Sequence, residues 1–425
     1  MRVLVVIAVV TALLAAGIPR HAEAGPEPPS LLATAYNTQR KLARSDDGTV
    51  YAAVTNNVSG TPMVRVLSSR DGAAWTTLPP PSVTNLASDR SSLAIDSLGR
   101  LHLVWTELTV DGGQVFHARF AAGAWSPPEQ LSHSPGYAGF PSLAVDGQDR
   151  AHVSWYGFDG AFYQIYYRRL DQGGWTNETA LTNEAVDATN PALALGPEGH
   201  VHIAWFRQNR QGTGTEVSYL RLEQGALREI RTVSAIGVDA ANPSLAVDGG
   251  GTVHLAWSAF VDTVRIQYVE RSPAGSWSPL EFVSPSAVGG LHASVTLHRA
   301  EGDVRIVWEG TDGQIYAQAR AVDAWSSPTV LSTGGVNRYP NARWAQHHNP
   351  FCPDGSPVDV VWTREDAGTP RLAYAALDAT EPCGTMPPPA DSGPLVAAGI
   401  SIVTAIGIVG VILSRRRRWY PKPPP

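Results

Sequence analysis

The chain is poor in cysteine, equally poor in lysine, and without helical periodicity. Cys352 and Cys383 are its two cysteines in 425 residues, enough for a single disulfide. Lysine is confined to Lys41 and Lys422, so arginine carries almost all the positive charge. No 3.6-residue apolar period survives the 40 glycines and 33 prolines, which excludes stacked helical pairs. Net positive charge is missing as well. The whole chain is −6. Without residues 1–24 and 394–425, Lys and Arg fall from 32 to 25 and Asp and Glu from 38 to 37, leaving −12. Such a surface repels nucleic acid, and no nucleic-acid partner is expected.

What is present is a repeat. Seven strand ends, Val54, Trp105, Trp155, Trp205, Trp257, Trp308 and Trp362, follow one another at gaps of 51, 50, 50, 52, 51 and 54. Two of the segments read Pro141-Ser-Leu-Ala-Val-Asp-Gly-Gln-Asp-Arg-Ala-His-Val-Ser-Trp155 and Pro243-Ser-Leu-Ala-Val-Asp-Gly-Gly-Gly-Thr-Val-His-Leu-Ala-Trp257. Within each repeat, short alternating runs are separated by Asp/Gly turns, which gives four strands joined by hairpins. Four strands per 40–50 residues is the pattern of a propeller blade. The spacing predicts an all-β, seven-bladed propeller over residues 30–378; a six-bladed ring with a decorative first repeat is the alternative. The seventh repeat has no fourth strand of its own. Residues 30–36 are expected to supply it and to leave no open sheet edge.

Targeting features bracket the repeats. Residues 1–24 have a basic start, an apolar stretch and an Ala22-Glu23-Ala24 cleavage site, the form of a secretory signal. Residues 379–394 are a Pro-rich linker. Residues 395–413 are apolar and uncharged, long enough for a transmembrane helix, and the tail 414–425 opens on Arg415 to Arg418. The expectation is a single-pass protein of the cell membrane, its ectodomain outside and its C-terminus cytoplasmic. A cleaved C-terminal sorting signal has the same form. Cys352 and Cys383 would then lie in an oxidising compartment and pair. Asn57-Val-Ser59 and Asn177-Glu-Thr179 have the form of glycosylation acceptors.

The turns between third and fourth strands carry a family resemblance. Ser69-Arg-Asp-Gly-Ala-Ala-Trp75 resembles the Asp-box of bacterial neuraminidase repeat, or sialidase-like, propellers, one residue short of the usual Asp-to-Trp spacing. Gly123-Ala-Trp125, Gly173-Gly-Trp175, Gly275-Ser-Trp277 and Asp323-Ala-Trp325 are decayed versions. The resemblance implies propeller architecture, with the box a folding element away from the catalytic face. Enzymes of that family place three arginines on a substrate carboxylate, beside a Tyr nucleophile, a Glu and an Asp acid/base. They also carry a Phe-Arg-Ile-Pro-like motif. Gln39-Arg40-Lys41-Leu42 keeps only its arginine, and no Asp-Glu-Tyr set at the family's spacing stands out. Arg40, Arg90 and Arg338 open the first, second and seventh blades and form a candidate carboxylate clamp.

Other constellations point to structure. His102, His152, His202 and His254 recur three residues before a Trp; equivalent positions spread around a ring cannot share one ion at about 2 Å. Asp96, Asp146 and Asp248 fit turn caps. No metal and no cofactor are expected. Sites on repeat scaffolds lie on loops, so the candidate ligand residues are the non-repeating ones: Arg40, Arg90, Phe140, Asn190, Asn242, His292, Arg338 and Tyr339 at blade starts, and Tyr156, Asp159 and Arg207 in longer loops. The sequence points to a surface propeller that binds an extracellular glycan or protein without catalysis. A sialidase-like glycoside hydrolase and a structural envelope protein are the alternatives.

Overall fold

The computed structural model describes residues 20–21 and 29–377, apart from 37, 39, 83, 85, 210, 299–302, 322–323 and 344–356. Cys352, Cys383, the linker, the apolar segment 395–413 and the tail lie outside the described residues, as does the signal segment except for 20–21. Among the described residues, no helix is long and apolar enough to cross a membrane.

Seven antiparallel sheets follow one another along the chain. Blade 1 opens on Leu42–Arg44 and blade 2 on Ser88–Ile95. Blades 3 to 7 open on Ala138–Val145, Ala188–Leu195, Asp239–Val247, Leu291–Leu297 and Val336–Ala342. Each of these inner strands pairs with the strand that carries a repeat mark, which lies inside that strand and not at its end, and that strand pairs with the next, in hairpin order. The hairpins form where the turn residues sit. Asp146 Oδ1, for example, accepts the backbone N–H of Gln148 and Arg150 at 2.9 Å, holding the turn between first and second strands.

The core is not inside the blades but between them. Seven apolar clusters each straddle one seam. One joins Ala53, Val64 and Val66 of blade 1 to Leu103 and Trp105 of blade 2. Another joins Ala204 and Tyr219 of blade 4 to Leu255 and Trp257 of blade 5. The repeated tryptophans from Trp105 to Trp362 are 0–1% exposed and lie in these seams. The ring closes by the same means: Leu42, Val50 and Trp75 of blade 1 pack on Val361, Leu372 and Tyr374 of blade 7. Serine hydroxyls add a second fastening round the inner strands. Ser92 Oγ accepts the N–H of Leu143, Ser142 that of Leu193, Ser244 that of Val295 and Ser294 that of Ala342, at 3.0–3.2 Å. This is why serine follows proline in the repeated motif.

Seven blades are found, but the expected closing strand is not. Residues 31–34 are a turn, stabilised by Leu32 N–H to Ser30 Oγ (3.2 Å) and Ala33 N–H to Ser30 O (3.0 Å). Serine-anchored local bonds compete successfully with a sheet ladder here. The segment instead crosses from blade 1 to blade 7. Thr55 N–H donates to Ala33 O, and Thr34 bonds the Thr363 hydroxyl at 2.8 Å. The outer strand of blade 7 is Arg20–His21, paired with Tyr374 and Ala373. It lies within the segment whose sequence has the form of a signal.

Candidate functional site

The start of each inner strand lies beside the end of its second strand: Asp89 faces Thr106, and Gly139 faces Tyr156. Blade starts and second-to-third-strand hairpins therefore share one face, the mouth. At six blade starts the ladder is interrupted by a bulge. In each bulge one non-glycine residue takes a left-handed backbone: Arg90 (φ 51°), Phe140 (54°), Asn190 (50°), Asn242 (54°), His292 (52°) and Tyr339 (55°). Such a conformation is costly for a bulky side chain, and bulges re-aim side chains. The backbone device repeats; the side chain it presents does not.

Several of these side chains meet. The His292 ring lies 4.7 Å from Tyr339, Tyr339 6.0 Å from Tyr36, Tyr36 4.9 Å from Phe140, and Phe140 5.3 Å from Tyr156. The guanidinium of Arg90 sits 4.6 Å over Phe140 and 6.0 Å over Tyr36, a cation–π arrangement. Arg90 also pairs with Asp89. The aromatic run thus crosses the mouth from blade 6 through blade 7 and the 29–36 segment to blade 3, with Arg90 of blade 2 stacked on it. Beside it is a cavity of about 610 Å³ lined by Leu31, Leu32, Tyr36, Asp89, Arg90 and Arg338, among others. Arg338 is exposed and has no ion pair among the described residues.

The candidate clamp does not assemble as three arginines. Arg40 is buried in the channel below, and its guanidinium donates to Val295 O (2.7 Å) and Leu245 O of the blades opposite. Burial pushes its pKa down to about 10. Arg90 and Arg338 share the cavity; Arg40 does not line it. Two other candidates are already occupied. Arg207 lies between Glu184 and Glu216, 2.8 Å from the latter. Asp159 accepts the N–H groups of Phe162 (2.9 Å) and Ala161 (2.8 Å), which lower its pKa and commit it to its own turn. Asn190 and Asn242 occupy equivalent bulges on blades 4 and 5. Asn57 and Asn177 are exposed, and Asn57 belongs to the cavity wall.

Sequence reasoning missed three participants. Tyr36 reads in the sequence as the end of a strand; in the structure the turn before it places it at the centre of the aromatic run. Lys41, the propeller's one lysine, is wholly buried with Nζ 2.6 Å from Ser91 O, and burial pushes its pKa down to about 7 despite the pull of Asp89. Glu309 ends the second strand of blade 6 and binds His292 Nδ1 at 2.9 Å. Among the described residues, no group of three His, Cys, Asp or Glu could hold a metal ion. The recurring histidines serve their own blades: His152 joins Tyr167 OH (2.7 Å) to Asp146 (3.1 Å).

No protein-family model and no curated protein matches the sequence. Solved structures do match. A PL25 ulvan lyase bound to -[GlcA(1-4)Rha3S]- superposes with a TM-score of 0.61 at 10% identity, over 85% of this chain and 95% of that one. The polysaccharide lyase Uly1 superposes at 0.51 and 9% identity, over 85% and 92%. The Hadza microbial sialidase Hz136 gives 0.45 and 12%, over 77% and 73%. At these identities the likeness is one of fold: the chain shares the overall architecture of the two lyases, here a seven-bladed β-propeller.

Proposed function

We propose that the protein is a surface-anchored propeller that binds an acidic glycan across its mouth. One observation carries the reading: an unbroken aromatic run beside a cavity that holds both Arg90 and Arg338. Aromatic faces accept the apolar side of a sugar ring, and a few placed polar groups fix its orientation. Arginine forks match carboxylate and sulfate oxygens. Arg90 is already paired with Asp89, so Arg338 is the cation of this cavity left to meet an anion, against a surface of −12. The ulvan lyase with a bound glucuronate–rhamnose sulfate supports the ligand class by likeness of fold. The signal-like start and the 395–413 segment support surface anchoring.

The test is an array of neutral, uronate-bearing and sulfated glycans probed with the full-length chain. Retention of acidic glycans, reduced about tenfold by Arg338→Ala, is the expected result. Equal retention of neutral glycans, or no retention at all, would overturn it. A protein ligand is the second reading, favoured by the exposed Val110, Ile236, Phe260 and Val261 in loops of the same face.

A further inference from the structure

We propose that the mouth is also reactive: His292, held by Glu309, is a general base that abstracts the C5 proton of a uronate residue in a bound acidic glycan. This rests on the glycan-binding reading above and adds a reaction to it.

His292 differs from the recurring histidines in every relevant respect. His102, His152, His202 and His254 are buried inside their blades, with Nδ1 on His117, Tyr167, Tyr219 and Tyr268. His292 stands in a mouth bulge and is partly exposed. Its Nδ1 lies 2.9 Å from Glu309 Oε2, and its Nε2 has no hydrogen-bond partner among the described residues. Glu309 is itself fixed, because the same oxygen accepts the backbone N–H of Tyr339 at 3.1 Å. A carboxylate held in this way accepts the hydrogen bond of Nδ1–H, which fixes the tautomer and leaves the lone pair on Nε2, facing away from Glu309. The arrangement is that of an oriented base.

The neighbours select the reaction. Hydrolysis of a glycosidic bond needs a pair of available carboxylates, or a tyrosine nucleophile with its base. The carboxylates that touch the aromatic run are committed, Asp89 to Arg90 and Glu309 to His292 and Tyr339. An imidazole can remove a proton beside a carboxylate once that charge is neutralised. Arg338, exposed and without an ion pair among the described residues, precedes Tyr339 in the chain and lines the cavity that Tyr36 also lines. Burial, and then Glu309, raise the Tyr339 pKa, so its hydroxyl stays protonated and can donate. In the step, Nε2 takes the C5 proton, the C5–H electron pair becomes the C4=C5 double bond, and the C4–O4 bond breaks. O4 of the departing sugar takes a proton from Tyr339 or water, and His292 returns its proton to solvent. No oxidant or reductant is needed.

The experiment uses the full-length chain with hyaluronan, alginate and polygalacturonate. It follows near-ultraviolet absorbance of the unsaturated product and, separately, retention of each polymer. Product from the wild type is expected. His292→Asn keeps an amide nitrogen near Glu309 but lacks the base, and should lose about a hundredfold in rate or more, well beyond any loss of retention. His292→Gly suits the left-handed backbone and should recover rate when imidazole is added. Retention without product from the wild type overturns the reaction and leaves binding intact. Loss of retention by all three polymers overturns both. A His292→Asn variant as fast as the wild type assigns the base elsewhere and overturns the role of His292.

Discussion

The two ends of the propeller differ in what they repeat. At the turn end, side chains recur and make the same bonds blade after blade. His152 with Tyr167, His202 with Tyr219 and His254 with Tyr268 are copies at 2.7 Å, and Asp96 and Asp146 cap matching turns. At the mouth the backbone recurs and the side chains do not. Six bulges share φ values of 50–55° yet present Arg, Phe, Asn, Asn, His and Tyr. Repetition at one end secures the scaffold. At the other it offers six equivalent positions that are free to differ, and difference is what recognition of an asymmetric ligand requires.

The sharpest way to break the contrast is to damage the scaffold alone. Asp359 is fully buried between Arg44 and Arg343 and accepts the Tyr374 hydroxyl at 2.7 Å. Asp359→Ala strands two buried guanidinium groups and should cost about 3–5 kcal/mol in denaturant unfolding. The fraction still folded should retain glycan as before. A cost below about 1 kcal/mol would show that the seam does not depend on this group.

Acid should act on the same end. Burial, with Arg271 and Arg221 nearby, pushes the His202 pKa down to about 3. The folded form therefore keeps His202 neutral while the unfolded chain takes up a proton near pH 6.5. The sign follows: stability is undiminished above about pH 6.5 and falls as pH drops from there toward 3, by about 1.4 kcal/mol per pH unit for this group. His202→Leu should flatten that part of the stability curve, measured by chemical unfolding across the range. Asp96 adds a second, lower window. Burial would raise its carboxyl, but bonds from His102 and Arg100 outweigh it and hold the pKa at about 2. Its contribution, present above about pH 3.8, is lost as pH falls toward 2.

Damage at the mouth should show the reverse pattern. Arg338→Ala should weaken acidic-glycan retention about tenfold and move unfolding by less than about 0.5 kcal/mol. The smallest effect belongs to the backbone. Asn190→Gly should change stability by less than about 1 kcal/mol, because asparagine tolerates the left-handed region and glycine suits it. A loss larger than that, seen in thermal unfolding, would mean the side chain is structural.

Much of this contrast was legible in the sequence. The period gave the seven blades, and the Trp marks gave the seams, because interblade burial demands a large apolar residue at one register. The blade-start positions also emerged, since they are where the repeat stops repeating. What failed was whatever depended on a single local conformation. Residues 30–36 alternate acceptably for a strand, but Ser30 folds them into a turn. Arg40 aligns with the mouth residues by position, yet it extends into the channel, where two carbonyls wait. Glu309 gave no signal, because its partner His292 is 17 residues away and pairs with it only through the hairpin register.

Arg40 has one more effect. By reaching from blade 1 to the carbonyls of blades 5 and 6, it bars the axis of the ring, and Lys41 is buried in the wall beside it. The propeller is therefore a dish and not a tube. On the glycan-binding proposal, a polymer would lie across the rim and not thread the axis end-first, and would be engaged at an internal residue. Chain length and free ends then matter little, and fragments too short to cross from Tyr156 to His292 should be the ones that escape.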